Sequence, residues 1–190
     1  MWHLGYLLID NLIYNLSLLN SDTTREEYIL LTLHRPSNTD IKQNLTSVLE
    51  GIDEISKTIK VVFPTHPRTM KQIKVFGLTK LLKNIDYCDP LSYLEFLKAM
   101  RDAHMVLTDS GGVQPEAYYL GVPCITLRTT TEHTFTLKAG ANVLVGSDKH
   151  KLLKEFNKLY NGTRSFITKN ILYDGKAAER IVKILMEEVK

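Results

Sequence analysis

Short, continuous hydrophobic runs alternate along this chain with longer segments in which hydrophobic residues recur every three or four positions. The first pattern is typical of strands covered on both faces, and the second of amphipathic helices. We therefore predict strands at residues 28–33, 60–63, 85–87, 104–108, 124–127 and 142–145. Helices are predicted near residues 8–19, 41–55, 70–75, 90–100, 113–120, 148–160 and 175–188. This alternation predicts right-handed crossovers and an α/β fold: a Rossmann-like, mainly parallel sheet with helices on both faces.

Polar residues mark two of the expected helix starts. Asp89 is a good N-cap and Pro90 a good first helical residue, so we expect a helix to begin there. Asn38 or Asp40 is expected to cap the next helix along from the first strand. The apolar stripes predicted for the helices near residues 8–19 and 41–55 are Leu8, Leu12, Leu16 and Leu19, and Ile41, Leu45, Val48, Leu49, Ile52 and Ile55.

Composition narrows the class of protein. The chain has 190 residues, 44% hydrophobic and 24% charged, which suits one domain with a full core. The net charge of +3 is too small to indicate nucleic-acid binding. Lysines 149, 151, 154 and 158 follow helical spacing, which is typical of a solvated helix face. The N-terminal hydrophobic stretch is interrupted by Asp10 and lacks a basic flank, so we expect neither a signal peptide nor a membrane span.

The two cysteines, Cys88 and Cys124, each adjoin a predicted strand. They form neither a disulfide framework nor a zinc-site spacing, so we expect buried free thiols in a reducing cytoplasm. We also expect His133 and His150 to be exposed. The sequence contains neither HExxH nor GxSxG, and its patterns imply no metal and no cofactor.

The strongest local signal is TDSGGVQPEA, at residues 108–117, where a predicted strand turns tightly into a helix. Adjacent glycines, Gly111 and Gly112, allow a ligand to approach the backbone without interference from a Cβ, and a helix start favours a phosphate. Glu116 lies about one turn later, where it could accept hydrogen bonds from ribose hydroxyls. The alternative is a turn in which Ser110 only caps the helix and the glycines serve its geometry; the pattern alone favours neither reading.

Three further polar loops follow predicted strands, and each taken singly is more typical of ordinary loop chemistry than of a site. They contain His34 and Arg35, then His66 and Arg68, and finally Arg128, Thr131 and Glu132. Because the carboxyl ends of parallel strands share one edge of the sheet, all four loops are expected to meet there and bind an anionic ligand. Asp109, Glu116 and Glu132 are acid or base candidates, but no spacing marks a matched pair.

An ordered series of motifs adds a resemblance that spacing does not supply. The motifs TLHRPSN, FPTHPRT, DPLSYLEFLKAM, LTDSGGVQPEA, LGVPCITLRTTTE and AGANVLVG run in the same order as in the UDP-N-acetylglucosamine 2-epimerase family, over roughly residues 8–146. The chain departs from the family at His133-Thr134 and at Pro115. The resemblance implies the C-terminal domain of a two-domain, glycosyltransferase B type fold. Residues 1–27 would form a helical connection from an N-terminal domain absent from this chain, and residues 28–190 the nucleotide-sugar-binding domain.

The resemblance also implies roles for individual residues. Ser110, Gly111 and Gly112 would bind the diphosphate, and Glu116 the ribose. Arg35 would lie near the phosphates, and His34 would face the reacting sugar as the catalytic candidate of this half. Residues 90–96 would flank the uracil, and residues 128–132 would line the sugar-phosphate end.

The reaction implied is elimination of UDP to a glycal and re-addition after the proton returns to the other face of C2. UDP and UDP-N-acetylglucosamine are the expected ligands, without nucleic acid or membrane partners, in a cytoplasmic enzyme of cell-envelope polysaccharide synthesis that is a homodimer at full length. This chain alone is expected to be inactive, because the family's acid and base carboxylates belong mostly to the other domain. Half of a UDP-sugar glycosyltransferase, or a non-catalytic UDP-sugar-binding fragment, remain alternatives.

Overall fold

The computed structural model describes residues 4–19, 26–162 and 173–188. Within them, one parallel sheet contains six strands in the order β3-β2-β1-β4-β5-β6. The strands are β1 (Tyr28–Thr32), β2 (Lys60–Pro64), β3 (Asp86–Cys88), β4 (Met105–Thr108), β5 (Cys124–Thr126) and β6 (Asn142–Leu144). The helices are α1 (Leu7–Leu16), α2 (Pro36–Thr39), α3 (Lys42–Ser56), α4 (Pro67–Val75), α5 (Tyr93–Asp102), α6 (Val113–Tyr119), α7 (Thr134–Lys138), α8 (Lys149–Asn161) and α9 (Ala177–Glu188), with a 3-10 turn at Thr79–Leu82. The predicted α/β class is confirmed.

The order of the strands determines where a ligand can bind. Successive strands add on one side of β1 as far as β3, and the chain then returns to place β4 on the other side of β1. The direction of winding therefore reverses between β1 and β4. In open parallel sheets of this kind, the crevice beyond the carboxyl ends of the strands at such a switch point is the usual ligand site.

Helices cover both faces of the sheet, because alternate residues of the central strands point to opposite sides. In β1, Ile29 and Leu31 join the core cluster beneath α3 and α8, whereas Leu30 joins the cluster beneath α1, α5 and α6. The second cluster also contains Ile9 and Leu12 of α1, both fully buried. Residues 4–19 therefore contribute to the core of this domain, and their assignment to an interdomain connection stays a prediction.

Two of the predicted helix stripes need correction at their ends. Ile41 is 49% exposed because α3 begins only at Lys42, and neither Asn38 nor Asp40 caps that helix. The other five residues of that stripe are buried as predicted. In α1 the fully buried pair is Ile9 and Leu12, whereas Leu8, Leu16 and Leu19 are only half-buried.

The predicted start of α5 at Asp89 and Pro90 is wrong. The helix begins at Tyr93, and Ser92 is its N-cap. The Ser92 hydroxyl accepts from the Glu95 amide at 3.4 Å, and the Glu95 carboxylate accepts from the Ser92 amide at 2.9 Å. This capping box pairs two backbone donors at once, which a cap at Asp89 would not do.

Two of the predictions about side-chain exposure are also wrong. Cys88 is exposed because β3 is an edge strand whose three residues are all exposed, whereas Cys124 is buried as expected. His133 is buried, with its ring centroid 5.7 Å from that of Tyr6 and 6.1 Å from that of Phe135. His150 is exposed as predicted. The lysine face of α8 is confirmed for residues 151, 154 and 158, while Lys149 is half-buried and pairs with Glu50 at 3.3 Å.

Candidate functional site

The loops after β1 and β4 are joined by one buried carboxylate. Asp109 is fully buried and directly follows β4. Its Oδ2 accepts from the Arg35 amide at 2.8 Å and from the Asn38 side chain at 3.1 Å, and both its oxygens lie 3.1 Å from the His34 amide. A buried charge is tolerated only when donors surround it, and these three donors all come from the segment that follows β1, the last of them from α2. Asp109 therefore fixes the loop that presents His34 and Arg35.

The imidazole of His34 lies against the same carboxylate. Its Nδ1 is 3.3 Å from Oδ1 of Asp109, while the His34 side chain remains 43% exposed. A carboxylate at Nδ1 favours the tautomer that carries its proton there and leaves Nε2 for a ligand. His34 and Arg35 are both exposed at the carboxyl edge of the sheet, as the strand-end argument predicts.

Asn38 extends this connection to the far side of the sheet. Its side-chain amide donates to the carbonyl of Leu127 at 2.9 Å, and its oxygen accepts from the Ser147 hydroxyl at 2.8 Å. The loops after β1, β4, β5 and β6 are thus held in one arrangement. The sequence suggested Asn38 only as a helix cap, because its true partners lie about a hundred residues away along the chain.

The glycine turn is not explained by backbone geometry. Gly112 is the N-cap position of α6, and no side chain caps the helix, so the alternative reading in which Ser110 caps it is wrong. Neither Gly111 nor Gly112 has a positive φ, so an alanine could adopt the backbone conformation at both positions. A Cβ on Gly112 would meet only ordinary contact with Leu8, at 3.6 Å. A Cβ on Gly111 would collide with Oε1 of Glu132. A side chain at position 111 would therefore fill the space above the glycine.

A charged pair occupies that space. Arg128 Nη2 lies 3.2 Å from Oε2 of Glu132, and Arg128 Nη1 would lie 3.6 Å from a Cβ on Gly111. Nη1 is buried and, among the described residues, has no hydrogen-bond partner. A hydrogen bond from the backbone at Glu132 itself, followed by the Arg128 guanidinium, lowers the pKa of the Glu132 carboxyl. An anionic oxygen is therefore already bound above Gly111, beside a guanidinium that could donate one more hydrogen bond.

Gln114 holds the loop after β5 against the glycine turn. It is fully buried; its amide donates to the carbonyl of Ser110 at 3.2 Å, and its oxygen accepts from the Thr131 hydroxyl at 2.6 Å and from Asn142 at 3.0 Å. This network fixes Thr131 near the turn. Sequence reasoning missed Gln114, whose only signal is its place within the TDSGGVQPEA motif.

Glu116 is buried on α6, with only 4% of its surface exposed. Its Oε1 accepts from the Tyr93 hydroxyl at 2.9 Å. Burial raises the pKa of the Glu116 carboxyl, and the bond from Tyr93 opposes that shift. Tyr93 begins α5, so the pair lies between the loops that follow β3 and β4.

His66 and Arg68 have local partners instead. The Nδ1 of His66 accepts from the Arg68 amide at 3.2 Å and caps α4, and the Arg68 guanidinium pairs with Asp40 at 2.6 Å. Helix capping and a largely exposed ion pair account for both side chains. Their predicted role in binding an anion stays a prediction.

A groove of about 1170 Å³ lies elsewhere, between α4 and the edge strand β3. Lys71, Lys74 and Lys83 are part of its lining, and none of the candidate residues on the β1, β4 and β5 loops is. Among the described residues, no side chain that lines the groove has a buried polar atom without a hydrogen-bond partner, whereas Arg128 has one. Its volume alone does not make it a binding site.

Two general properties bear on the type of protein. None of the helices in the described part of the chain combines the length and apolar character that crossing a bilayer requires. Within residues 4–19, 26–162 and 173–188, no three His, Cys, Asp or Glu side chains are grouped closely enough to hold a metal ion.

Comparison with known proteins identifies relatives of this chain. The family model described as UDP-N-acetylglucosamine 2-epimerase matches residues 2–186. A UDP-N-acetylglucosamine 2-epimerase of Methanocaldococcus jannaschii is 47% identical over 87% of this chain and 46% of its own length. The crystal structure of the M. jannaschii enzyme in complex with UDP-GlcNAc and UDP has a TM-score of 0.88 and 42% identity, over 97% of this chain and 54% of the other.

The fold extends to more distant proteins. The C-terminal domain of a glycosyl transferase group 1 family protein of Francisella tularensis has a TM-score of 0.54 at 15% identity, over 83% of this chain and 87% of that one. The expected likeness to the C-terminal domain of the glycosyltransferase B type is thereby confirmed. The chain spans about half the length of the curated relatives it matches, from 46% to 54% for the first three.

Replacing Asp109 by Asn should destabilise the fold. The amide would turn an N–H toward donors that now face a carboxylate, at a cost of about 3 kcal/mol in the free energy of unfolding. Urea denaturation measures it, with Asp89→Asn as the matched control, because Asp89 is exposed. Equal denaturation midpoints for the two variants would contradict the assignment of Asp109 as the residue that fixes these loops.

Proposed function

Because the chain belongs to the UDP-N-acetylglucosamine 2-epimerase family, we propose that it is the UDP-binding half of an enzyme that interconverts UDP-N-acetylglucosamine and UDP-N-acetylmannosamine. The observation that carries the proposal is the space above Gly111, where the buried Nη1 of Arg128 has no partner among the described residues. This is an anion site at the switch point of a parallel sheet. The diphosphate of UDP is the anion that the family's ligand offers.

The diphosphate is assigned to the glycine turn. The backbone of Ser110, Gly111 and Gly112 would contact its oxygens, and Arg128 would pair with it in place of Glu132. Arg35, exposed on the neighbouring loop, would approach from the other side. Thr131, held by Gln114, would line the sugar-phosphate end together with Glu132 once that carboxylate has moved. This arrangement supplies both donors and positive charge, as an anionic ligand requires.

The nucleoside is assigned to the other side of α6. Glu116 would accept from the ribose hydroxyls, and residues 90–96 would flank the uracil. The buried position of Glu116 beside the start of α5 supports this placement, since both elements face the same edge of the sheet.

His34 is assigned to the leaving group. In the elimination, the C1–O bond breaks, a base takes the C2 proton, and the electron pair of that C–H bond forms the C1–C2 double bond of the glycal. UDP departs with a developing negative charge on its β-phosphate. Nε2 of His34 can donate toward that charge in the imidazolium form, in which Nδ1–H faces Asp109 at the same time. The base for the C2 proton would come from the part of a full-length relative that this chain does not span, so the chain alone would not turn over.

Further features of the setting follow from the resemblance. Cys88 and Cys124 form no disulfide, which suits a reducing cytoplasm. A homodimer at full length, acting in the synthesis of cell-envelope polysaccharides, completes the proposal.

The first prediction concerns the nucleotide. Calorimetry should find that the chain binds UDP and UDP-N-acetylglucosamine about tenfold or more tightly than ADP. The reason is that residues 90–96, which are proposed to flank the uracil, would not fit adenine equally well. Equal affinity for UDP and ADP would contradict the proposed function. UDP binding with transfer of the sugar to an acceptor by the full-length protein would instead favour the glycosyltransferase alternative.

The second prediction concerns Gly111. Gly111→Ala should weaken UDP binding by about tenfold or more, because the Cβ would fill the space assigned to a phosphate oxygen. Its thermal stability should stay near that of the native protein, since the Cβ meets only the end of the flexible Glu132 side chain. Normal UDP affinity in Gly111→Ala would place the diphosphate elsewhere.

The third prediction has the opposite sign. Glu132→Gln should tighten UDP binding by about threefold, because it removes the carboxylate that competes with the diphosphate for a partly exposed guanidinium. The matched control is Glu54→Gln, which breaks an exposed ion pair with Lys57 on α3 and should change nothing. Weaker UDP binding in Glu132→Gln would contradict the proposed competition between this carboxylate and the diphosphate for Arg128.

A further inference from the structure

Tyr93 holds one oxygen of the carboxylate that the proposed function assigns to ribose. Its hydroxyl donates to Oε1 of Glu116 at 2.9 Å, across the gap between α5 and α6. Tyr93 is 37% exposed, whereas Glu116 is 4% exposed. The tyrosine therefore lies nearer the surface than the carboxylate, and the space beside this pair is where the proposed function puts the nucleoside pocket.

The hydrogen bond changes what Glu116 can do. Burial favours the protonated carboxyl, which would become a donor on one oxygen and a poorer acceptor on the other. The bond from Tyr93 favours the ionised form and occupies Oε1, so Oε2 is directed away from the tyrosine. Tyr6 is also within electrostatic range of Glu116, and its own pKa is raised first by burial and then by Glu132 and Glu116.

We propose that Tyr93 is a specificity-determining residue: it positions Glu116 so that the pocket selects ribonucleotides over deoxyribonucleotides. The inference rests on the proposed function, in which Glu116 receives the ribose. A ribose hydroxyl donates to Oε2 and completes the hydrogen bonding of a buried charge. A deoxyribose leaves that oxygen unpaired, and sites built around a buried polar group reject ligands that lack its partner far more strongly than they reject an extra methylene.

Calorimetry with UDP, 2′-deoxy-UDP and 3′-deoxy-UDP tests the proposal on the native chain, Tyr93→Phe and the control Tyr87→Phe. Tyr87 is 55% exposed on the edge strand β3, and the tyrosine hydroxyl that donates to Glu116 is that of Tyr93. The native chain and the control should prefer UDP to at least one deoxynucleotide. Tyr93→Phe should lose about tenfold in UDP affinity and little in deoxynucleotide affinity, so that the preference falls.

A double-mutant cycle separates positioning from packing. If Tyr93 acts through Glu116, Tyr93→Phe should have no further effect on the preference in a Glu116→Gln background. The pKa of Glu116, followed by NMR of its side-chain carboxyl, should also rise in Tyr93→Phe, which a purely structural role would not cause.

The outcomes are distinguishable. A native chain that fails to bind UDP contradicts the proposed function, and the inference with it. A native chain that binds UDP, but either shows no preference over both deoxynucleotides or keeps its preference unchanged in Tyr93→Phe, overturns the inference alone.

Discussion

The structure of this site depends on a single buried carboxylate. Asp109 follows the end of β4 at the point where the winding of the sheet reverses, and it accepts hydrogen bonds from His34, Arg35 and Asn38 in the segment after β1. The two strands are neighbours, yet their loops carry different functional groups: His34 and Arg35 on one, the glycine turn on the other. Because the carboxylate is fully buried, its donors cannot leave without a large cost. The relative position of those groups is therefore fixed before any ligand binds.

A second layer of neutral side chains fixes the remaining loops. Asn38 bridges to the carbonyl of Leu127 and to Ser147, and Gln114 bridges from Ser110 to Thr131. Within this frame the charge of Arg128 is only partly paired: one nitrogen pairs with Glu132, and another is buried without a partner among the described residues. The backbone of the site is thus preorganised, whereas the anion paired with Arg128 can be exchanged. That combination suits a ligand that must be bound as an anion and released again.

The sequence predicts the strands of the sheet well and the side-chain contacts around them poorly, and both outcomes have physical reasons. The central strands β1 and β4 are recognisable because both faces are covered and the whole run is hydrophobic, and the rule that loops meet at the carboxyl edge then places His34, Ser110 and Arg128 together. The start of α5 was misplaced because Asp89-Pro90 is as good a local signal as the capping box that formed. Cys88 was misjudged because the pattern of a strand does not reveal whether it lies at the edge of a sheet.

The partners that organise the site could not be read from local pattern. His133 is buried by rings that include Tyr6, more than a hundred residues away, and Asn38 reaches Leu127 over a similar separation. Local propensity contains no information about such pairs. The pattern suggests phosphate and ribose roles for Gly111, Gly112 and Glu116 as one of two readings, and the family resemblance selects that reading and adds Glu132. The structure adds an unexpected relation: Glu132 lies above Gly111, in the place where the diphosphate is proposed to bind.

The most direct test of this account is to titrate the labelled chain with UDP and follow its backbone amides in proton–nitrogen correlation spectra. The account predicts that the largest shift changes lie at the glycine turn, with smaller ones at His34 and Arg35 and along residues 128–132. Changes concentrated at Lys71, Lys74 and Lys83, in the groove beside β3, would place the nucleotide at a different surface and contradict the central claim.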